Sequence, residues 1–182
     1  MNAGVQTQLN STAIDLVKHA NSLVARANAV NPHEARVLKT GASLLASHAN
    51  NLVSGADNVA IANSMAQNAQ NVALVKKTPD AVVASLSKIG HTTPRGLDAP
   101  NVLVNVANTT MSRVVPYMSE QQKTYAVVNS IMNATNTIQA QELNNSRTSL
   151  ASLGKKLGTM SNDGVMQGVS QRVLANARAL QL

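Results

Sequence analysis

No cysteine, phenylalanine or tryptophan occurs in this 182-residue chain, and tyrosine occurs only as Tyr117 and Tyr125. Without cysteine there is no disulfide, no thiolate metal site and no cysteine nucleophile. Without large aromatics, each of which buries roughly 150–250 Å², the core has to be built from Ala, Val and Leu, and it is thin. Helices lined with alanine approach closely and gain buried area through length, so the composition favours an elongated bundle completed by a partner. Long apolar runs are missing too. None approaches the ~18 residues that cross a membrane, and the first nine residues lack the basic and apolar stretches of a cleaved signal peptide. The expectation is a soluble chain that sits within a virion or is exported without such a peptide, its location otherwise open. Charge is sparse at 13% and lopsided, with 15 Lys and Arg against 8 Asp and Glu, a net charge of +7. That balance admits an anionic partner, either nucleic acid or a membrane surface.

What is present is helical periodicity. Apolar residues at three-and-four spacing predict a helix from about Thr12 to Val30, opened by a Thr12/Asp15 capping box. Asn31, Pro32 and Glu34 fit the N-cap, N1 and N3 positions of a second helix, which reaches Ser54-Gly55. A third stripe runs through Ile61, Met65, Ala69 and Val72. Thr78-Pro79-Asp80 opens a short helix to Ile89, closed by Gly90. Residues 91–100, with two prolines and Gly96, are the longest expected loop and the best internal boundary. Val102–Val115 alternates in places like a strand but fits a helix better, with Pro116 ending it. A Ser119/Gln122 capping box opens a helix of about 38 residues if it passes unbroken through Asn144-Asn145, with Gly154 and Gly158 marking its end. Asp163 opens the last helix.

A shift of 29 positions superposes residues 9–30 on 38–59. The pairs Leu9/Leu38, Leu16/Leu45, His19/His48, Asn21/Asn50, Leu23/Leu52 and Val24/Val53 are among its identities. Two alanine- and asparagine-rich amphipathic helices match at apolar positions by chance; the shared His and Asn are harder to obtain that way. If the duplication is real, the second helix continues through Gly55 to about Val59, leaving Gly55 inside it. No third copy is found, which argues against a solenoid.

The acids are accounted for by helix starts. Asp15, Glu34, Asp80, Glu120 and Asp163 fall in or beside expected first turns, and Asp57 and Asp98 just before them, where carboxylates complement orphan N–H groups and the helix dipole. Only Glu142 is expected mid-helix, so no pair is left for general acid/base work. His19, His33, His48 and His91 show no zinc-type spacing, although His19 and His48 could face each other across a hairpin. Phosphate loops, nucleophile elbows and dinucleotide fingerprints are missing. Gly154-Lys155-Lys156-Leu157-Gly158 matches a Gly-x-x-x-Gly pattern only formally, since two lysines preclude a bilayer dimer face.

The fold class expected is all-α, an elongated bundle of about six to seven amphipathic helices with a long helix in the C-terminal half. It divides into a helical region 1–90, a loop 91–100 and a helical region 101–182, together one structural unit. No enzyme, cofactor or metal is expected. The leading function is a non-catalytic, self-assembling or interacting subunit of a larger assembly, such as a virion component or an exported bacterial appendage or effector, partnered by its own copies or by other subunits. The alternative is a basic helical protein that binds an anionic partner. The candidate interaction residues lie at the C-terminal end, where Arg147, Lys155, Lys156, Arg172 and Arg178 supply positive charge and Met166, Val169 and Val173 form an apolar face.

Overall fold

A computed structural model describes residues 4–113 and 117–182. Among these residues there are six helices: α1 Val5–Ala27, α2 Pro32–Lys76, α3 Pro79–Thr92, α4 Ala99–Arg113, α5 Glu120–Met160 and α6 Gly164–Ala179. The chain divides into two compact units, Met1–Ala56 with Gln141–Leu182, and Asp57–Ala140. The 93–98 connection, the heart of the expected internal boundary, thus lies inside the second unit.

In the first unit the repeat has a structural meaning. The buried series on α1 is Leu9, Ala13, Leu16, Ala20, Leu23, Ala27, and on α2 it is Leu38, Ala42, Leu45, Ala49, Leu52, Ala56. Both alternate Leu with Ala in steps of four and three, the heptad spacing that keeps a seam facing its neighbours. Leu143, Leu150 and Leu157 on α5, and Met166, Val173 and Leu180 at or beside α6, continue it at sevenfold spacing, all buried. Each large residue is thereby matched by small ones, and the core closes without aromatics. Copies differ where packing differs. Thr12 of α1 corresponds to Gly41 of α2, both buried. A β-carbon on Gly41 would lie 2.7 Å from Met166 Cε, 3.2 Å from Leu23 Cδ1 and 3.3 Å from Leu157 Cδ2.

α1 and α6 run antiparallel, tied at both ends. Gln8 donates Nε2–H to the Gln181 carbonyl at 2.5 Å and accepts the Gln181 N–H at 2.9 Å; at the other end Arg26 Nε meets Asp163 Oδ2 at 3.0 Å. α5 and α6 cross at the glycines. A β-carbon on Gly154 would fall 2.6 Å from Leu174 Cγ and 3.2 Å from the Ser170 carbonyl, and one on Gly158 2.9 Å from Ser170 Oγ. Ser170 donates to the Gly154 carbonyl at 2.6 Å, and Gln167 Nε2 donates to the carbonyls of Gly158 and Ser161 at 2.8 and 2.5 Å, satisfying groups at the end of α5.

In the second unit, α3 packs on α4, and Met65, Leu86, Leu103, Val127 and Ile131 form the core with Ala62, Ala66, Ala69, Ala99 and Ala107. The buried Asn58 side chain accepts the Ala99 N–H on its Oδ1 at 2.8 Å and so caps α4 from α2. Lys77, at φ 58°, turns the chain out of α2.

Several expected helix starts hold. Asn31 Oδ1 accepts the Glu34 N–H at 2.9 Å, Thr78 Oγ1 accepts from Ala81, Asp163 Oδ1 accepts from Val165, and Ser119 with Gln122 forms the reciprocal box at 2.9 and 3.1 Å. Other boundaries need correction. α1 begins at Val5, so Thr12 is a buried mid-helix residue rather than a cap, and Asp15 is mid-helix. α2 passes through Gly55 as one helix of 45 residues, absorbing the expected third stripe and placing Asp57 in mid-helix. The continuation depended on the repeat, and the burial of Ala56 and Val59 supplies the packing that carries the helix across a glycine. Gly90 lies within α3, which ends at Thr92. α5 is unbroken for 41 residues through Asn144-Asn145 and through both glycines expected to end it. Residues 102–113 are helical, and the expected stop at Pro116 lies outside the described residues.

Candidate interaction surfaces

The eight candidate interaction residues fall into two groups. Met166, Val169 and Val173 are buried in the core of the first unit, so the apolar face of α6 is covered by its own bundle and offers nothing to a partner. Lys155, Lys156, Arg172 and Arg178 are exposed. Arg147 is half-buried, and its Nε donates to the Leu180 carbonyl at 2.6 Å, where it complements the negative end of α6. The first unit holds nine Lys and Arg against four Asp and Glu, so most of the chain's net charge of +7 belongs to it.

The fields inside this unit are visible in two groups. Burial pushes the His19 imidazole below its ordinary pKa, helped by the positive charges of Arg172 and Lys18 and opposed by Asp15. His19 is thus half-buried within reach of Arg172 on α6 and of Asp15 and Lys18 on its own helix. Asp163 is the reverse. Burial works against its charge, yet the N–H of Val165 and the Arg26 guanidinium hold its carboxyl below the ordinary value.

His48, the repeat partner of His19, lines a different feature, a cavity of about 220 Å³ between α2 and α5 with Asn51, Glu142, Asn145, Ser146 and Ser149. Its Nδ1 lies 2.9 Å from the Leu44 carbonyl; since a carbonyl only accepts, Nδ1 carries the proton and Nε2 is the basic nitrogen. Glu142 is pressed against α2 at Gly55, where a β-carbon would lie 2.7 Å from its Oε2. Gly55 is thus the residue that admits this carboxylate. Nothing places His19 against His48. Among the described residues no three His, Asp or Glu side chains cluster closely enough to hold a metal ion.

Sequence reasoning missed the second unit's surface. A cleft of about 630 Å³ there is lined by Leu74, Tyr125, Val128, Thr124, Lys77 and five amide side chains, Gln67, Gln70, Asn71, Gln121 and Asn129. Tyr125 is 63% exposed, Tyr117 just ahead of α5 is 87% exposed, and Leu74 and Val75 are more exposed than Tyr125. The scarcity of tyrosine was the signal available: with two aromatics in the chain, where they go is informative. No helix among the described residues is long and apolar enough to cross a membrane. No family model, curated protein or solved structure matches the chain.

Proposed function

We propose that this chain is a non-catalytic interaction protein, a helical subunit of a larger assembly built from its own copies, with other subunits as further neighbours. The observation that carries the reading is the placement of the two tyrosines, both on the surface, with exposed Leu74 lining the same cleft as Tyr125. Tyrosine dominates interface energetics because it covers much area for little lost conformational freedom, and the cleft beside Tyr125 pairs that apolar surface with amides that hydrogen-bond a docking chain. A thin core awaiting a partner is no longer the reason: the seam leucines of the first unit, Leu9, Leu16, Leu23, Leu38 and Leu45, are already fully buried within it. The polar, cysteine-free composition fits export in the unfolded state or packaging in a virion.

Light scattering of the purified chain over a wide concentration range tests this. The expected mass exceeds 19.0 kDa and rises with concentration, and Tyr125→Ser combined with Leu74→Ser lowers it. A chain that stays monomeric throughout refutes self-assembly. The second reading, an anionic partner, is favoured by the positive excess of the first unit. Binding to a labelled oligonucleotide or to anionic vesicles that weakens steeply with salt supports it, and binding insensitive to salt counts against it.

A further inference from the structure

The two units sort the same charged residue types in opposite ways. In the first, eight of the nine basic side chains are exposed, two to a helix: Lys18 and Arg26 on α1, Arg36 and Lys39 on α2, Lys155 and Lys156 on α5, Arg172 and Arg178 on α6. Its four acids, Asp15, Glu34, Glu142 and Asp163, are all half-buried. Each has work inside the bundle. Asp163 caps α6 and pairs with Arg26 at 3.0 Å, Glu34 accepts the Ser161 hydroxyl, Glu142 lies against α2 at Gly55, and Asp15 stands within reach of His19. In the second unit all four acids, Asp57, Asp80, Asp98 and Glu120, are exposed, among the exposed bases Lys76, Lys77, Lys88, Arg95 and Arg113. An anionic group arriving at the surface of the second unit therefore meets both signs of side-chain charge, and at the first it meets cations.

We propose that the first unit binds the phosphate backbone of double-stranded nucleic acid, through the outer faces of α5 and α6. This rests on the anionic-partner reading and names the partner and the face. The outer face of α5 has the chemistry of backbone contact. Asn144, Thr148, Ser152, Lys155 and Thr159, stepping four, four, three and four along the helix, are all exposed, and a lysine among hydroxyls and an amide is the donor set that holds phosphate and sugar oxygens. α6, crossing α5 closely at Gly154 and Gly158, adds Gln171, Arg172 and Arg178, also exposed. Charge alone does not separate a duplex from a single strand or a membrane, but the rest of the unit does. Both tyrosines lie in the second unit, so the first is without an aromatic ring. Single strands are held by bases stacked on such rings, and membrane surfaces by aromatic belts and by the apolar face of an amphipathic helix. The apolar face of α6 is filled by its own core. The cations also point several ways: Arg172 and Arg178 lie about 120° apart around α6, and Lys155 and Lys156 about 100° apart around α5. A flat bilayer reaches one side of a bundle, whereas duplex segments can lie along more than one.

The full chain is titrated against a short labelled duplex, one of its single strands, and vesicles of phosphatidylserine with phosphatidylcholine. The duplex is expected to bind most tightly, with log affinity falling against log salt at a slope of about −3 between about 50 and about 200 mM, the counterion release of three or four phosphate contacts. Lys155→Gln, Lys156→Gln, Arg172→Gln and Arg178→Gln combined, all at exposed sites, are expected to weaken duplex binding by about tenfold or more and to flatten the slope. Lys76→Gln, Lys88→Gln, Arg95→Gln and Arg113→Gln combined remove the same charge from the second unit. Because salt at about 0.1 M screens charges beyond about 10 Å, this second set is expected to change binding less than about threefold. Circular dichroism checks that both variants keep their helices. Equal weakening by the two sets, tighter binding of the single strand, or vesicle binding without duplex binding each overturns the proposal, and in all three cases the anionic-partner reading stands. If neither duplex, strand nor vesicles bind at low salt, both fail.

Discussion

Replacing Gly154 by alanine separates two effects of opposite sign, and Gly168 provides the control. Both glycines are interior to helices, α5 and α6. In each, alanine reduces the backbone freedom of the unfolded chain and favours the helix by about 0.8–1 kcal/mol. At Gly168 nothing lies within 4 Å of the added β-carbon, so Gly168→Ala is expected to stabilise the protein by about that amount. At Gly154 the new atom would sit 2.6 and 2.7 Å from Leu174 Cγ and Cδ2 and 3.2 Å from a backbone carbonyl. Leu174 cannot swing aside at Cγ without moving its whole side chain, and the helix backbones must separate slightly. Overpacking of this kind costs about 1–3 kcal/mol. The net expectation for Gly154→Ala is therefore between neutral and about 2 kcal/mol destabilising, and the difference between the two variants, about 1–3 kcal/mol, reads the close approach of α5 and α6 alone. Urea titration followed by helical ellipticity measures both, provided the slopes are equal. If Gly154→Ala gains as much as Gly168→Ala, the helices do not meet at Gly154.

Leu16 and Leu45 occupy equivalent, fully buried positions of the repeat, so Leu16→Ala and Leu45→Ala should each cost about 2–5 kcal/mol; urea midpoints showing one of them to be harmless would break the equivalence. His19 binds its proton less readily in the native state than in the unfolded chain, so its contribution to stability is present at neutral pH and is lost as pH falls from its ordinary pKa towards the lowered native one. Arg172→Gln should raise the His19 pKa, and an imidazole titration curve followed by NMR that does not move would remove Arg172 from its surroundings. Asn31→Ala removes the cap of α2 and should cost about 1 kcal/mol, seen as a lower thermal midpoint.

Four helix starts were legible in the sequence because the capping chemistry is local: Asn31, Thr78, Ser119 and Asp163 each bond backbone N–H groups two or three residues on, whereas Thr12, the expected start of α1, caps nothing and lies inside the helix. Helix ends at glycine were not. Gly55, Gly90, Gly154 and Gly158 all lie inside helices, and what three of them do is set by a distant residue, Glu142 for Gly55 and residues of α6 for the other two. A glycine that stops a helix and one that lets a neighbour in look alike until the neighbour is known. The candidate site divides the same way. Exposure of Lys155, Lys156, Arg172 and Arg178 follows from charge alone, but the apolar face of Met166, Val169 and Val173 could equally have met a partner, and only the packing of α6 in its own unit assigns it. Tyr125 and Leu74 were missed because a cleft made by α2 and α5 joins residues about fifty positions apart.

The duplication bears most directly on how the chain came to have two kinds of surface. Residues 11–25 and 40–54 agree position by position in whether they are buried, half-buried or exposed, so the two segments solve the same packing problem in one bundle. Their differences at exposed positions therefore isolate what is not packing. His19 stands among Arg172, Asp15 and Lys18, while His48 lines a cavity with Glu142, so the two imidazoles have different charged neighbours. α1 carries Ile14 and Val17 where α2 carries Ser43 and Ala46, and neither change is demanded by a core that both helices fill with the same Leu and Ala series. At these two positions the larger apolar residue stands on the exposed side of α1 alone, while Val24 and Val53 are exposed in both copies, so the surface that differs between the two is confined to the stretch around Ile14 and Val17.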